Sequence, residues 1–185
     1  GGEAGIVLAN GSMSSNTNNE GKIREEMVRK DVVEVIVALP GNLFLNTPIP
    51  VCLWFLTDNK IQSGKNRKGK TLFIDGSEIG TMKNRVERVL TDRDIAKISD
   101  TVHSWRDDGE YENVAGFCYE AKFEEIQKNS FVLTPGRYVG APLEDEDEDS
   151  LGEKMKTFTK LLKQYQDEGY QLDQEISENL RRIGY

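Results

Sequence analysis

Short apolar runs and polar, turn-rich stretches alternate along the first 140 residues, and the spacing of the apolar positions changes from run to run. Gly5-Ile6-Val7-Leu8-Ala9 is continuous and is stopped at once by Asn10-Gly11, which predicts a short buried strand. After a polar loop over 12–19, residues 20–30 place Ile23, Met27 and Val28 on one side at helical spacing, so a short amphipathic helix is expected. Val32-Val33-Glu34-Val35-Ile36-Val37-Ala38-Leu39 is rich in β-branched side chains and reads as a strand, ended by Pro40-Gly41-Asn42. Strand, helix, strand is the unit that builds sheets covered by helices, so the expected fold class is α/β with a mixed or parallel sheet. Val51-Cys52-Leu53-Trp54-Phe55-Leu56 and Thr71-Leu72-Phe73-Ile74-Asp75 predict two further strands, separated by a polar excursion over 58–70. Thr91 with Asp92 and Asp94 has the chemistry of a helix N-terminus for the segment up to Trp105. Residues 119–126 fit either a short helix or a strand turning into one, and 131–140 reads as an exposed segment.

The pattern breaks at Glu144-Asp145-Glu146-Asp147-Glu148-Asp149, six consecutive acids with no apolar residue among them, and a solvated linker over 141–150 is expected. Beyond it Leu151, Met155, Phe158, Leu162 and Tyr165 recur three or four apart, as do Leu172, Ile176, Leu180 and Ile183 after Gly169. These stripes predict amphipathic helices that need a surface, on this chain or on a partner. Gly169 costs only about 1 kcal/mol in a helix interior, so two helices and one bent helix both fit. The expected organisation is thus 1–140, a linker over 141–150, and a helical extension over 151–185.

Composition narrows the function. With 32 acidic against 24 basic residues the net charge is -8, a field that repels nucleic acid unless cations are concentrated locally or another chain supplies them. The densest basic set is Lys65, Arg67, Lys68 and Lys70, which fits DNA phosphates, a solvated loop or subunit contacts. Cys52, Cys118 and the single histidine, His103, have no metal-ligand spacing, and a reducing, cytoplasmic compartment is expected. His103 with Asp100 and Asp107 reads as a helix surface, not an acid–base pair. The apolar runs fall well short of the roughly 20 residues that span a bilayer, so no membrane partner is expected. Neither G-x-G-x-x-G nor a Walker pattern occurs, and the glycines over 64–80 read as turns.

The most unusual stretch is Leu39-Pro40-Gly41-Asn42-Leu43-Phe44-Leu45-Asn46-Thr47-Pro48-Ile49-Pro50, with an aromatic, two amides and three prolines between two apolar strands. From residue types alone it is either a stiff connection in which Phe44 caps the core and Asn42 and Asn46 satisfy local backbone, or a loop that holds a flat ligand at a sheet edge.

Gly5-Ile6-Val7-Leu8-Ala9-Asn10-Gly11, Glu20-Gly21-Lys22-Ile23-Arg24, the Leu39-to-Phe44 run and Asn46-Thr47-Pro48-Ile49-Pro50-Val51-Cys52 resemble, in order, the later motifs of the modification subunit of type I restriction-modification systems. Gly69-Lys70-Thr71-Leu72-Phe73-Ile74-Asp75 and Leu133-Thr134-Pro135-Gly136-Arg137-Tyr138-Val139 extend the likeness over roughly 4–140. Two positions depart from it: Ala9 where the family has proline before Asn-Gly, and Pro48 where it has glycine. Pro48 lacks an N–H and fixes its own φ, so a stiffer loop is expected.

The resemblance implies a DNA methyltransferase that moves a methyl group from S-adenosylmethionine to adenine N6, acting with a specificity subunit and, in the larger complex, a restriction subunit. It implies the C-terminal portion of a Rossmann-like S-adenosylmethionine-dependent methyltransferase sheet with flanking helices, plus a helical C-terminal extension. The target nitrogen is buried in the duplex, so the base must be extruded into a pocket with an aromatic face. Phe44 resembles the residue that stacks on it, with Asn42, Asn46 and Thr47 shaping the loop; packing and turn formation are the rival roles. The family's Asn/Asp-Pro-Pro-Phe/Tyr segment has no counterpart, since the chain contains no Pro-Pro pair. An inactive C-terminal part, without catalytic or cofactor-binding residues and with no tightly bound S-adenosylmethionine, is therefore expected. The alternatives are a non-catalytic assembly module that docks a specificity subunit and an unrelated structural α/β domain. For 151–185, docking a specificity subunit and packing on the same chain both stay open.

Overall fold

The computed structural model describes residues 2–44, 47–62, 65–107, 110–140 and 151–182, which fall into two units, 1–143 and 144–185, each taken by itself below. The acidic run expected as a linker lies outside the described residues.

In the first unit the elements are β1 (Glu3–Ala9), α1 (Glu20–Arg29), β2 (Val33–Leu39), β3 (Val51–Thr57), the short hairpin β4 (Ile61–Gln62) and β5 (Lys65–Asn66), β6 (Lys70–Asp75), the hairpin β7 (Thr81–Met82) and β8 (Arg88–Val89), α2 (Asp92–Arg106), β9 (Cys118–Lys122) and α3 (Phe123–Lys128). The main sheet has the order β1-β3-β2-β6-β9. β2 and β6 are parallel, and the β1–β3, β3–β2 and β6–β9 pairs are antiparallel. The sheet is therefore mixed, and β1, β2 and β6 point the same way.

β2 is buried at all seven positions because both of its faces are covered. Ile36 and Ala38 join a core cluster with Trp54, Phe73, Ile126 and Leu133, while Val35, Val37 and Leu39 join one with Leu72, Ile74, Trp105 and Phe117 on the opposite face. Alternate residues of a strand face opposite sides, so a strand covered twice is apolar along its length except where a charge is paired, as at Glu34. The same signal misleads for β1. It forms, but as an edge strand paired only with β3, and all seven of its residues are exposed. Burial depends on which elements lie over a strand, and that is not encoded in its own seven residues.

α1 keeps part of the expected apolar side, since Val28 is buried and Met27 packs against the core. Ile23 is 57% exposed, whereas Arg24 is buried at 2%. Its guanidinium donates to the carbonyls of Ser12, Ser15 and Phe131 and to Asn16 Oδ1, tying the loop after β1 to the segment beyond α3. A buried charge persists where hydrogen bonds meet its donors, and here backbone oxygens do so.

α2 begins as its residues predict. Thr91 Oγ1 accepts from Asp94 N at 3.2 Å, and the Asp94 carboxylate accepts from Thr91 N at 2.8 Å and Thr91 Oγ1 at 2.7 Å. These bonds, that from the Thr91 hydroxyl first, hold the Asp94 carboxyl below its ordinary pKa. Residues 119–126 take the second of their two readings, β9 running directly into α3.

Segment 131–140, expected to be exposed, is instead part of the core: Phe131, Leu133, Tyr138 and Val139 are all buried. Leu133 N donates to the Met13 carbonyl at 2.9 Å. The Tyr138 ring stacks on Phe73 with centroids 3.9 Å apart and planes at 3°. Its apolar residues follow no helical or strand period because the backbone there is a turn around Pro135–Arg137, so a periodicity reading passes over them.

The second unit is one helix, α4 (Leu151–Arg182), continuous through Gly169. Phe158, Leu162, Tyr165, Leu172 and Ile176 are each more than half exposed along it. Among the described residues no helix is long and apolar enough to cross a membrane.

Candidate functional site

The carboxyl ends of β1, β2 and β6 lie along one edge of the sheet, where Asn10, the 40–50 loop and Gly76 follow them. Ligands of open α/β sheets bind outside such carboxyl ends.

The 40–50 loop is held across this edge by backbone contacts. A Cβ on Gly41 would stand 2.3 Å from the Pro48 carbonyl oxygen, so only glycine lets the two arms of the loop close on each other. Asn42 has φ +65°, a left-handed conformation that asparagine tolerates better than most residues, and its carbonyl accepts from Arg88 N at 2.8 Å. Phe44 and Thr47 form a single β-bridge, with Thr47 N donating to the Phe44 carbonyl at 3.3 Å. Thr47 Oγ1 accepts from Ile49 N at 3.2 Å, and Asn10 N donates to the Pro50 carbonyl at 3.2 Å.

In this frame Phe44 is 48% exposed. Asn42, through its backbone, and Thr47, through its backbone and hydroxyl, shape the turn that carries the ring. Asn46 lies outside the described residues. Asn10 Oδ1, at the end of β1, is buried and has no hydrogen-bond partner.

The four basic residues expected as a phosphate-binding set do not form one patch. Arg67 is 1% exposed. It donates to Glu34 Oε1 at 3.1 Å and to the Arg106 carbonyl at 2.9 Å, and its guanidinium lies 5.4 Å from the Trp105 ring centre. Lys65 Nζ donates to the Ser104 and Asp107 carbonyls at 3.2 and 2.8 Å, at the end of α2. Lys70 pairs with Glu120 at 2.8 Å, and only Lys68 of the four is classed as exposed. Glu34 and the carbonyls ending α2 draw Arg67 and Lys65 inward; a cation cannot serve both a buried carboxylate and a phosphate.

Glu34 is fully buried and also pairs with Arg106, whose guanidinium reaches Glu3 at 3.6 Å. The lone acid inside the apolar run of β2 was the signal for this cluster, and its partners could not be read from spacing. His103 sits exposed on α2 as expected, and among the described residues no group of His, Cys, Asp or Glu is placed to hold a metal ion. Cys52 and Cys118 are buried free thiols.

A cleft of about 370 Å³ lies between α1 and the β1–β3 side of the sheet and is lined mainly by apolar groups such as Ile6, Leu8, Ile23 and Trp54, with Glu20 and Arg24 beside them. A second, of about 300 Å³, lies on the opposite face between β3 and α2.

The model of the family described as N-6 DNA Methylase matches residues 1–147. The chain is 52% identical over 184 residues to the type I restriction enzyme HindI methylase subunit of Haemophilus influenzae, covering all of this chain and 40% of that protein. It is 39% identical over 186 residues to the MjaIX methylase subunit of Methanocaldococcus jannaschii, covering 32% of that one. The chain thus spans two fifths or less of the length of these curated relatives. Among solved structures, the methyltransferase subunit of the type I restriction-modification system of Streptococcus thermophilus superimposes with a TM-score of 0.61 at 32% identity, over 74% of this chain and 26% of that one. The EcoKI M protein shares the fold over the whole of this chain and 41% of its own, with a TM-score of 0.57 at 14% identity. The match over 1–147 and the identities along the full chain agree with the mixed sheet and its carboxyl-edge loop: the chain belongs to the N-6 DNA Methylase family.

Proposed function

We propose that this chain is the target-base part of a type I modification subunit, which in the complete polypeptide transfers a methyl group from S-adenosylmethionine to adenine N6 in DNA. The observation that carries this reading is Phe44: a phenyl ring nearly half exposed on a loop whose backbone is fixed at Gly41, Asn42 and Thr47. An exposed aromatic costs solvation unless something flat covers it, and an extruded purine supplies that face. Asn42 and Thr47 position the ring, and Asn46 belongs to the same loop.

S-adenosylmethionine does not fit the residues of this chain alone. The cleft beside α1 is mainly apolar, its one anion, Glu20, is matched by Arg24, and the Arg24 donors are engaged by backbone carbonyls and Asn16. The cofactor site and the group that holds the adenine amine therefore belong to polypeptide outside this chain. β1 supports the same conclusion, since its outer edge is unpaired among the described residues while Ile6 and Val7 are 41% and 52% exposed. An apolar open edge is a template for another strand, and we assign it to the remainder of the catalytic sheet.

The partners in this reading are DNA, a specificity subunit and a restriction subunit, all in the cytoplasm, where two buried free thiols stay reduced. The exposed stripe of α4 is assigned to the specificity subunit. The test is transfer of labelled methyl groups to DNA. The complete subunit with its specificity partner methylates adenine, and the 185-residue chain alone does not; methylation by the chain alone overturns the division of labour proposed here.

A further inference from the structure

The connection between β6 and α2 is a hairpin that the reading above leaves unused. Its neck is fixed. Gly80 has φ +81°, and a Cβ there would meet the Val89 carbonyl oxygen at 2.8 Å. Arg88 Nη1 donates to the Ile79 carbonyl at 3.0 Å, while Ile79 and Leu90 pack against the core. The tip is equally ordered. Asn84 Oδ1 accepts from Val86 N and Glu87 N, both at 2.9 Å, and Lys83 N donates to the Glu87 carbonyl at 2.9 Å.

So constrained a tip covers nothing. Met82 and Val86 are 44% and 67% exposed. Lys83 is paired with Glu87 at 3.2 Å, whereas Arg85 is exposed and, among the described residues, makes no hydrogen bond or ion pair. In a chain of net charge -8 this is an uncompensated guanidinium on a rigid projection.

The hairpin is also joined to the Phe44 loop, because Arg88 N donates to the Asn42 carbonyl at 2.8 Å, two residues before Phe44. From Arg85 to Arg88, across that bond and on to Phe44, the path is at most about 23 Å at about 3.6 Å per residue. That distance corresponds to about seven base pairs at a rise of about 3.4 Å.

We propose that the β7–β8 hairpin is a DNA-backbone contact, in which Arg85 binds a phosphate within about seven base pairs of the extruded adenine and Val86 lies against the adjoining sugar. The Arg88–Asn42 bond then fixes the Phe44 loop relative to the duplex. A rigid fork of donors suits a phosphate, and its order before binding lowers the entropy lost on contact. The inference rests on the adenine-methyltransferase reading.

The test uses the complete modification subunit assembled with its specificity subunit. Affinity for a cognate duplex is measured from 50 to 200 mM salt, beside the fluorescence of 2-aminopurine at the target position. Arg85→Ala lowers the slope of log affinity against log salt by about 0.9, one phosphate contact, and Arg85→Lys restores most of it. The melting temperature and the assembly of the subunits stay unchanged. An unaltered slope in Arg85→Ala, with Phe44→Ala still lowering the 2-aminopurine signal, overturns the hairpin contact and leaves the base-binding reading standing. Weakened assembly at an unaltered slope assigns the hairpin to a subunit interface and overturns the proposal. If neither variant changes either signal, the base-binding reading fails and the hairpin contact with it.

Discussion

Replacing Glu34 with glutamine keeps the size of the side chain and removes the one carboxylate that Arg67 and Arg106 share. The Arg67 side chain is 1% exposed, so its charge cannot turn to water when its partner is lost. Breaking a buried pair from one side costs about 3–5 kcal/mol, because a charge is left without compensation. The Trp105 face, 5.4 Å from the guanidinium, is present in both proteins and cancels, but the amide oxygen of the replacement still accepts a hydrogen bond, which keeps the loss near the lower end of that range. Arg106 adds little, being partly solvated and within 3.6 Å of Glu3. A net loss of about 3 kcal/mol is a large share of the roughly 5–15 kcal/mol that stabilises a domain. At about 2–4 °C per kcal/mol for a unit of this size, the melting temperature falls by roughly 6–12 °C. Thermal unfolding of the chain by circular dichroism at pH 7 reads this directly. Adding Arg67→Met to Glu34→Gln removes the stranded charge and recovers much of the loss, a coupling that a double-mutant cycle isolates. A shift under 2 °C in Glu34→Gln, or additive single variants, would refute the claim that the pair is buried and interdependent.

Further outcomes follow from other contacts. Gly41→Ala forces the 40–50 loop to open against the Pro48 carbonyl, costing about 1–3 kcal/mol and lowering 2-aminopurine fluorescence in the complete enzyme; wild-type behaviour in both would contradict the packed loop. Burial raises the phenol pKa of Tyr138 and of Tyr111, and the hydrogen bond with Glu125 raises that of Tyr119. A pKa raised on folding gives stability that is full below about pH 10, the unfolded phenol value, and is lost as pH rises beyond it. Denaturant midpoints therefore fall above pH 10, less steeply in Tyr138→Phe, and an identical slope in that variant would remove Tyr138 from the effect. Truncation of the complete subunit at the residue matching 150 abolishes binding of the specificity subunit, measured by co-purification; retained binding would reject docking through α4.

What was legible in the residues was whatever depends on near neighbours. β2, β3 and β6 are continuous apolar runs, and α2 carries its own cap in Thr91 and Asp94, so each could be placed without the rest of the chain. Burial and pairing were less legible because they depend on distant partners. β1 has the pattern of a buried strand and lies at an edge; Ile23 looks like core and is exposed, while Arg24 beside it is buried on backbone oxygens. Segment 131–140 has no period, yet it supplies Leu133 and Tyr138 to the core. At the candidate site, the 39–50 stretch stood out by its place between two strand signals, while the stacking role of Phe44 came from the family resemblance alone. The closure of Gly41 on Pro48 and the support of Asn42 by Arg88 bring together residues 7 and 46 positions apart, which local pattern does not encode. The surroundings of the basic set were hidden for the same reason: Lys65 and Arg67 are near in sequence, and their acceptors include groups on β2 and α2.

The central claim is that Phe44 receives the extruded base. The most direct measurement is 2-aminopurine fluorescence at the target adenine in a cognate duplex bound by the complete enzyme, comparing the wild type with Phe44→Ala and Phe44→Tyr. The account predicts that Phe44→Ala loses most of the signal for extrusion at unchanged thermal stability, and that Phe44→Tyr, which keeps the aromatic face, retains it. Equal signals in the wild type and Phe44→Ala would contradict it.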